Sequence, residues 1–161
     1  KMAENIKMKN IEEQYNKLKG RYNLPKFEDL DNEFEISTIE NEKFLLREII
    51  NKLMGRIDFF SKILEEVLQP DTSLLSSMHE TRYFAEKEKE DIYELYKKLM
   101  IISRESLEVS LKTDEKEEAL FINKVFNEWK DLKNELLKFA NKIKESWKME
   151  SDIKEELNYL G

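Results

Sequence analysis

Hydrophobic residues recur along most of this chain at the three- and four-residue spacing of an α-helix. The pattern is widest between Ser37 and Pro70, where two apolar stripes together cover much of the helix circumference. A helix that is apolar on several sides must be covered on several sides, so we place this one at the centre of a bundle. We expect Ser37 and Glu40 to form a capping box at its start and Pro70 to end it.

A shorter amphipathic pattern precedes this central helix. Residues 2–19 predict a first helix, which Gly20 and then Leu24-Pro25 should end, since the residue before a proline is pushed out of the α region. The segment from Pro25 to Ser37 predicts a short helical turn. Its large apolar side chains should point inward: Phe27, Leu30 and Phe34.

Two further long helices should follow the central one. After a short turn, with Thr72 or Ser73 as the N-cap, a third helix over about 74–111 should run back antiparallel. The acidic run from Glu86 to Asp91 interrupts its apolar pattern. This helix therefore either projects past its neighbours at that point, or bends or breaks near residues 80–86.

The fourth helix should begin after Thr113, its expected N-cap, with acidic residues in the first turn, where the helix dipole favours them. Its apolar stripe includes Trp129 and Trp147, and we expect both indoles in the core. Ser151 should cap a short last helix. The sequence thus predicts an all-α fold, a mostly antiparallel bundle of about four main helices (three long, one shorter), in a single domain over residues 1–161.

Some large and small side chains do not fit these stripes. Four aromatic rings lie off them: Phe44, Phe84, Phe121 and Phe139. Such rings need a cover, so we expect either another part of the chain or a partner to supply it. Gly55, in mid-helix, costs about 1 kcal/mol relative to Ala, and predicts either a close approach between helices or an incidental position.

Composition supports the all-α class and narrows the function. Only three Gly and two Pro among 161 residues leave few turns for a sheet, and 39% of the residues are charged. The lack of cysteine excludes disulfides, thiolate metal sites and cysteine nucleophiles. No apolar run approaches the ~20 residues of a membrane span, and no signal-peptide pattern opens the chain. We therefore expect a cytoplasmic protein that does not bind membranes.

Charge points to proteins as partners. The formal net charge of -7 argues against general nucleic-acid binding, which depends on neutralising phosphates. From Phe27 to Glu42 there are seven acids and no Lys or Arg. Five of them form our candidate interaction patch, the acidic patch: Glu28, Asp29, Asp31, Glu33 and Glu35. The fourth helix is rich in lysine, so the two surfaces can pair within the fold, between protomers or with outside partners, or be simply solvated.

The acidic patch also resembles the calcium loop of an EF-hand. Counting from Asp29, acids occupy the first, third and fifth places, and Glu40 occupies the twelfth. Two departures stand out: Phe34 replaces the glycine of the loop, and Pro25 interrupts the incoming helix. The alternative is that these acids flank the start of the central helix, where the dipole favours them.

Catalytic motifs are scarce. The single histidine, His79, excludes the Glu-x-x-His pairs of di-iron bundles and gives no support to a Ser-His-Asp triad. We expect this side chain near a helix start and partly exposed. No glycine-rich loop is present to hold a phosphate. We therefore predict no catalytic residue, no metal ligand and no cofactor.

One pattern of acidic residues is consistent with an enzyme. Asp114-Glu115-x-x-Glu118 followed by Glu128-x-x-Asp131 resembles the E-E-x-x-E and E-x-x-D magnesium motifs of the all-α nucleoside-triphosphate pyrophosphatases. In that family the motifs lie on different helices, which bring the carboxylates together around the metal. Here nothing interrupts the helix, so Glu118 and Glu128 would lie about 15 Å apart along one rod.

Two functions therefore remain at this point. The favoured one is a non-enzymatic protein–protein interaction or scaffold module, which binds a protein partner or self-associates as a homodimer. The alternative, implied by the resemblance, is a magnesium-dependent nucleotide hydrolase that uses clustered Glu and Asp residues.

Overall fold

The computed structural model of the protein describes residues 2–149, which form α-helices and no β-strand. This confirms the all-α class. The helices are α1 (Met2–Tyr22), α2 (Phe27–Phe34), α3 (Leu45–Leu68), α4 (Leu75–Tyr83), α5 (Glu86–Lys112) and α6 (Glu115–Ser146), with a 3₁₀ turn at Ile36–Thr38. None of these helices has the length and apolar character to cross a membrane. The predicted last helix at Ser151 lies outside the described residues.

The chain divides into two compact units. Unit 1 comprises Lys1–Asp58 and Ile101–Lys130, and unit 2 comprises Phe59–Met100 and Asp131–Gly161. Helices α3, α5 and α6 each contribute residues to both units. The single domain over residues 1–161 stays a prediction, because such a division occurs within domains as well as between them.

The core of unit 1 joins α1 and α2 to parts of the long helices. Helix α1 packs on α2 and on the 3₁₀ turn. Phe27, Leu30 and Phe34 are buried, as predicted. The Phe34 ring lies 5.2 Å from the ring of Trp129, between centroids. Other fully buried side chains of this unit include Ile11, Tyr15, Ile36, Leu46, Ile49, Leu53, Ile57 and Ile122.

The predicted end of α1 at Gly20 is wrong by one turn or less. The helix continues to Tyr22, and Asn23 then adopts the left-handed conformation (φ 52°) ahead of Leu24 and Pro25. A single glycine costs a helix only about 1 kcal/mol, which packing of α1 can offset. The stop before the proline was correctly placed.

The predicted capping box of the central helix is also wrong. Helix α3 begins at Leu45, and Ser37 lies in the 3₁₀ turn, where its N–H donates to Asp31 Oδ1 at 2.7 Å. Ile36 and Ile39 are buried on either side of Ser37. These two buried residues keep the apolar spacing of a helix although their segment is not α-helical. A prediction from periodicity therefore started the central helix too early. The end before Pro70 is confirmed, since α3 ends at Leu68.

The predicted third helix is broken. Helices α4 and α5 are separated at Phe84, which has extended backbone angles, so of the two alternatives that the sequence left open the chain adopts the break near residues 80–86. The expected N-cap at Thr72 or Ser73 is wrong: Leu74 holds the cap position of α4 without a side-chain bond. The Ser73 hydroxyl instead donates to Asp71 Oδ1 at 2.6 Å, and this bond lowers the pKa of the Asp71 carboxyl.

The N-cap of α6 lies one residue later than predicted. Thr113 adopts a left-handed conformation (φ 51°) and does not cap the helix. Asp114 does, because its Oδ1 accepts the N–H groups of Lys116 and Glu117 at 2.8 and 3.1 Å. An acid at this position also faces the positive end of the helix dipole.

Unit 2 has a core with more polar groups. His79 was expected to be partly exposed, but it is buried (3% exposed), and its Nε2 lies 3.0 Å from the Ser146 carbonyl oxygen. The Thr81 hydroxyl donates to the Val67 carbonyl oxygen at 2.6 Å. These bonds satisfy groups that would otherwise be costly to bury. The prediction was wrong because a position near the start of a helix does not determine whether other parts of the chain cover the side chain.

The aromatic and glycine expectations are partly confirmed. Phe84, Phe121 and Phe139 are buried, so within the described chain three of the four off-stripe rings are covered by the protein itself, whereas Phe44 is 46% exposed. A methyl group added at Gly55 would meet no atom within 4 Å. No other helix of the chain therefore approaches closely at Gly55, and within the fold the incidental alternative applies.

Candidate functional site

A cleft of about 410 Å³ opens in unit 1 among α1, the segment that precedes α3, and the first turns of α3 and α6. Leu18, Leu45 and Leu46 are its aliphatic lining residues, and Leu45 and Leu46 are buried. The charged lining consists of four cations and three carboxylates, and we name this cleft the basic cleft. They are Lys17, Arg21, Lys43 and Arg47, with Glu42, Glu115 and Glu118.

An ion pair between the partly exposed Arg47 and the buried Glu118 forms one wall of the basic cleft. Arg47 Nε donates to Glu118 Oε1 at 2.9 Å, and Glu118 is only 5% exposed. The first turn of α6 places this carboxylate near the positive end of the helix. A carboxylate this deeply buried requires its partner, because an uncompensated buried charge is strongly destabilising. Arg47 is therefore fixed in the wall.

An exposed aromatic ring lies beside this ion pair. The Arg47 guanidinium carbon is 4.5 Å from the centroid of the Phe44 ring, and Lys43 Nζ is 5.5 Å from the same centroid. The backbone of Phe44 is held by α3, since its carbonyl oxygen accepts the N–H of Glu48 at 3.1 Å. Two cations over one ring fix its position while part of it stays open to solvent.

The other two carboxylates of the cleft also have partners. Glu115 Oε1 accepts the Tyr22 hydroxyl at 2.7 Å and Arg21 Nη1 at 3.3 Å. The bond to Glu115 is the main reason that the pKa of the Tyr22 phenol is raised. Glu42 Oε2 accepts Gln14 Nε2 at 2.9 Å. All three acids are thus occupied by neighbours.

The lysines of the cleft are less engaged. Within the described chain, neither Lys17 nor Lys43 forms an ion pair, and the contact of the Lys43 ammonium is with the Phe44 ring. Lys17 is exposed on α1. The lining of the basic cleft therefore includes two ammonium groups that can bind a carboxylate and one exposed aromatic ring that can contact an apolar group.

The acidic patch predicted from the sequence is divided by the fold. Asp31 accepts the Ser37 N–H, and Glu33 Oε2 accepts the Trp129 indole N–H at 2.8 Å. The three other acids are exposed: Glu28, Asp29 and Glu35. Two of the five residues thus support local structure, and an interaction role for the patch stays a prediction.

The calcium-loop alternative does not match the geometry. Asp29, Asp31 and Glu33 lie in helix α2, where their side chains cannot wrap one ion as an EF-hand loop does. Among the residues the structure describes, no group of three His, Asp or Glu side chains is arranged to hold a metal ion.

The pyrophosphatase-like motifs lie on one helix. Glu115, Glu118, Glu128 and Asp131 all belong to α6, which is unbroken between Glu115 and Ser146. Glu118 and Glu128 are therefore about 15 Å apart along the helix axis. Glu118 also accepts a hydrogen bond from Arg47 Nε at 2.9 Å.

Sequence reasoning missed the cations of the basic cleft. Lys17, Arg47 and Glu118 are separated by tens of residues, so no local spacing connects them. One signal was available: Phe44 lies off the apolar stripe and has basic residues at positions 43 and 47. When the chain is compared with protein-family models, with curated proteins and with solved structures, no match is found in any of the three.

Proposed function

We propose that this protein is a non-enzymatic interaction module whose basic cleft binds an acidic segment of a partner protein. One observation carries the proposal: the three carboxylates of the cleft are bound by neighbouring side chains, while Lys17 and Lys43 have no ion pair in the described chain and line the same cleft as the exposed ring of Phe44. This combination suits a segment that carries both carboxylates and apolar side chains.

The two parts of the cleft would contribute differently. Covering the exposed part of the Phe44 ring removes apolar surface from water and contributes about 1 kcal/mol. The lysines would contribute mainly to orientation and to the association rate, because exposed charges are screened by salt. Binding should therefore weaken with salt but not vanish.

A synthetic peptide of about four helical turns tests the proposal. It carries leucine at helical spacing and glutamate elsewhere, and we name it the Leu/Glu peptide. Fluorescence anisotropy of the labelled peptide at physiological salt gives Kd. Reversal of both lysines, Lys17→Glu with Lys43→Glu, should raise Kd at least about tenfold, which corresponds to about 1.4 kcal/mol.

The matched control is Lys9→Glu with Lys130→Glu. Both lysines are exposed in unit 1 and lie outside the cleft, and the pair produces the same change in net charge. It should change Kd by less than about twofold. Equal weakening in both double variants would mean that the peptide responds only to net charge, and the proposal would then fail.

Two further measurements separate the alternatives that the sequence left open. Magnesium-dependent release of phosphate or pyrophosphate from a nucleotide, lost in Glu118→Gln, would favour the hydrolase instead. Light scattering tests self-association: a dimer that dissociates on reversal of Lys17 and Lys43 would identify a second copy of this chain as the source of the acidic segment.

Two further predictions from the sequence belong to this proposal. An antiparallel bundle of the four longer helices is supported by their lengths of 21, 24, 27 and 32 residues for α1, α3, α5 and α6. A cytoplasmic location is supported by the lack of cysteine. Both remain parts of the proposal.

A further inference from the structure

One side of helix α3 faces solvent, opposite the side that is buried in the core. Its residues lie three or four positions apart, and we name it the α3 face: Glu48, Asn51, Gly55, Phe59 and Lys62. Glu48 is half-buried and the other four are exposed. Because all five belong to one unbroken helix, their spacing along this face follows from helix geometry alone.

An aromatic ring and a glycine lie side by side in the middle of the α3 face. Phe59 is 60% exposed, although its ring meets the edge of the Phe60 ring at 5.2 Å between centroids. Gly55 lies one turn earlier, and a methyl group added there would meet no atom within 4 Å. The face therefore has a projecting ring next to a position without a side chain, where another helix can approach closely.

The charges of the α3 face are placed symmetrically about this glycine. Gly55 lies seven residues, or two helical turns, from Glu48 on one side and from Lys62 on the other. A spacing of seven residues keeps all three on nearly the same side of the helix. Within the described chain, neither Glu48 nor Lys62 forms an ion pair. A carboxylate and an ammonium group are thus both free, about 21 Å apart, with the glycine midway between them.

One arrangement of two copies of this face pairs the free charges. If two α3 helices lie antiparallel about a two-fold axis at Gly55, Glu48 of each copy opposes Lys62 of the other, and two equal ion pairs form. A parallel arrangement in the same register would place Glu48 against Glu48 and Lys62 against Lys62, which is repulsive. The α3 face is therefore complementary to itself in the antiparallel arrangement alone.

From this charge complementarity we propose that the α3 face is the interface of a homodimer, in which the α3 helices of two copies pack antiparallel about an axis at Gly55. The Phe59 ring of each copy lies one turn from the axis and packs beside Gly55 of the other. A single helix face is smaller than the interface of a stable complex, so the dimer is a weak one. The proposal concerns a different surface from the basic cleft and does not rest on it.

Sedimentation equilibrium of the full chain tests the dimer. At physiological salt and at protein concentrations from about 10 µM to 1 mM, the data should fit a monomer–dimer equilibrium with a Kd in this range. A mass that stays at that of the monomer at every concentration would overturn the proposal.

The ring is tested by Phe59→Glu, which should raise the Kd of the dimer at least about tenfold. The matched control is Tyr93→Glu. Tyr93 is also an exposed aromatic residue (53%), it lies on α5 outside the α3 face, and the change in net charge is the same. The control should alter Kd by less than about twofold. Circular dichroism checks that both variants keep their helix content. Equal weakening in the two variants would reduce the effect to net charge and contradict the proposal.

The antiparallel arrangement is tested by exchanging the two charges. Glu48→Lys opposes Lys62 of the other copy, and Lys62→Glu opposes Glu48, so each single variant should raise Kd about tenfold, because the symmetric interface contains the contact twice. The double variant restores the pairs and should return Kd to within about twofold of the wild type. Net charge alone would move the two single variants in opposite directions. A double variant no better than the single ones would rule the arrangement out.

A third variant separates dimerisation from folding. Gly55→Gln replaces glycine by a good helix former at a position with open space, so the urea midpoint of unfolding should rise. The added side chain also separates the two helices, so Kd should rise at least about tenfold. A dimer as tight as the wild type would show that the helices do not meet at Gly55. A dimer lost on reversal of Lys17 and Lys43 but unchanged in Phe59→Glu would assign self-association to the basic cleft and overturn this proposal. Failure of the Leu/Glu peptide, by contrast, would affect only the basic cleft.

Discussion

Each of the two units contains one tryptophan of helix α6 or its C-terminal extension, and the two indoles make the same hydrogen bond in different surroundings. Trp129 Nε1 donates to Glu33 and Trp147 Nε1 donates to Glu80, both at 2.8 Å. Trp129 is 3% exposed, whereas Trp147 is 39% exposed. The helical stripe that contains both residues therefore identifies a face of the helix but does not determine burial along it.

The two openings differ in a complementary way. The basic cleft has about the same volume as an opening in unit 2 that is lined by Phe84, Phe139 and four carboxylates, about 410 and 400 Å³, but the excess charge of the two linings is opposite. In the basic cleft the carboxylates are bound by neighbouring side chains, whereas Lys17 and Lys43 have no ion pair in the described chain. In the opening of unit 2, Asp91 has no ion pair within the described chain, and Glu94 has only the exposed partner Lys97. In a chain with a net charge of -7, the local charge of a surface therefore differs from the overall charge.

The largest difference between the units should appear on truncating the two tryptophans. Trp129→Ala should lower the free energy of unfolding by about 4 kcal/mol, because it leaves a cavity beside Phe34 and removes the indole N–H that Glu33 accepts. Trp147→Ala should lower it by about 1 kcal/mol, since much of that ring is already in water. Urea denaturation followed by circular dichroism measures both.

Trp129→Phe is the milder substitution, to be measured in case Trp129→Ala does not fold. It keeps most of the ring volume and should lose about 1–2 kcal/mol, still more than the matched Trp147→Phe. Equal losses at the two positions would show that the difference in exposure has no energetic consequence.

The next effect concerns ion pairs. Arg47→Met keeps most of the side-chain length but leaves Glu118 buried without its cation, so the free energy of unfolding should fall by about 2 kcal/mol, less than for a fully buried pair because Arg47 is partly exposed. In unit 2, Lys98→Met breaks an exposed pair with Glu135 and should change the free energy of unfolding by less than about 0.5 kcal/mol. Urea denaturation at neutral pH measures both.

A second substitution tests the cause. If the loss in Arg47→Met comes from the unpaired charge, then adding Glu118→Gln should recover part of it, because the neutral amide is less costly to bury. No recovery would mean that Arg47 stabilises the unit through its contact with Phe44 instead.

The sequence predicted the helices better than their ends. The stop before Pro70 and the inward side of α2 follow from local rules about proline and apolar spacing. The charge run from Glu86 to Asp91 marked the place of the break between α4 and α5 but could not distinguish a break from a projecting helix. The start of α3 does not, because Ile36 and Ile39 keep a helical spacing while they are buried from a 3₁₀ turn and the segment after it. Periodicity records burial, and burial does not require a helix.

The candidate sites were harder to predict for a different reason. The acidic patch was visible because its residues are consecutive, yet two of them bind Ser37 and Trp129 inside the unit. The basic cleft was not visible, since it brings together residues from α1, α3 and α6. What the sequence did contain was the off-stripe aromatics. Three of them are buried, and the fourth, Phe44, lies in the basic cleft.

The smallest predicted effect separates a buried tyrosine of unit 1 from an exposed one of unit 2. The Tyr15 hydroxyl donates to the Pro25 carbonyl oxygen at 2.7 Å. Burial, and then the nearby Asp29 carboxylate, raise the pKa of the Tyr15 phenol. Because the folded-state pKa is the higher one, the stability contributed by the protonated phenol is fully present below the unfolded pKa of about 10 and is lost as the pH rises above it.

Tyr15→Phe should therefore cost about 1 kcal/mol at pH 7, since the Pro25 carbonyl loses its donor. Above pH 10 the wild type should lose about 1.4 kcal/mol per pH unit more than the variant, so the two free energies of unfolding should converge within about one pH unit. Tyr93→Phe, at an exposed tyrosine of unit 2, should stay parallel to the wild type. Urea denaturation between pH 7 and about 11 measures all three proteins. A constant difference between the wild type and Tyr15→Phe across that range would show that the phenol does not resist ionisation in the folded state.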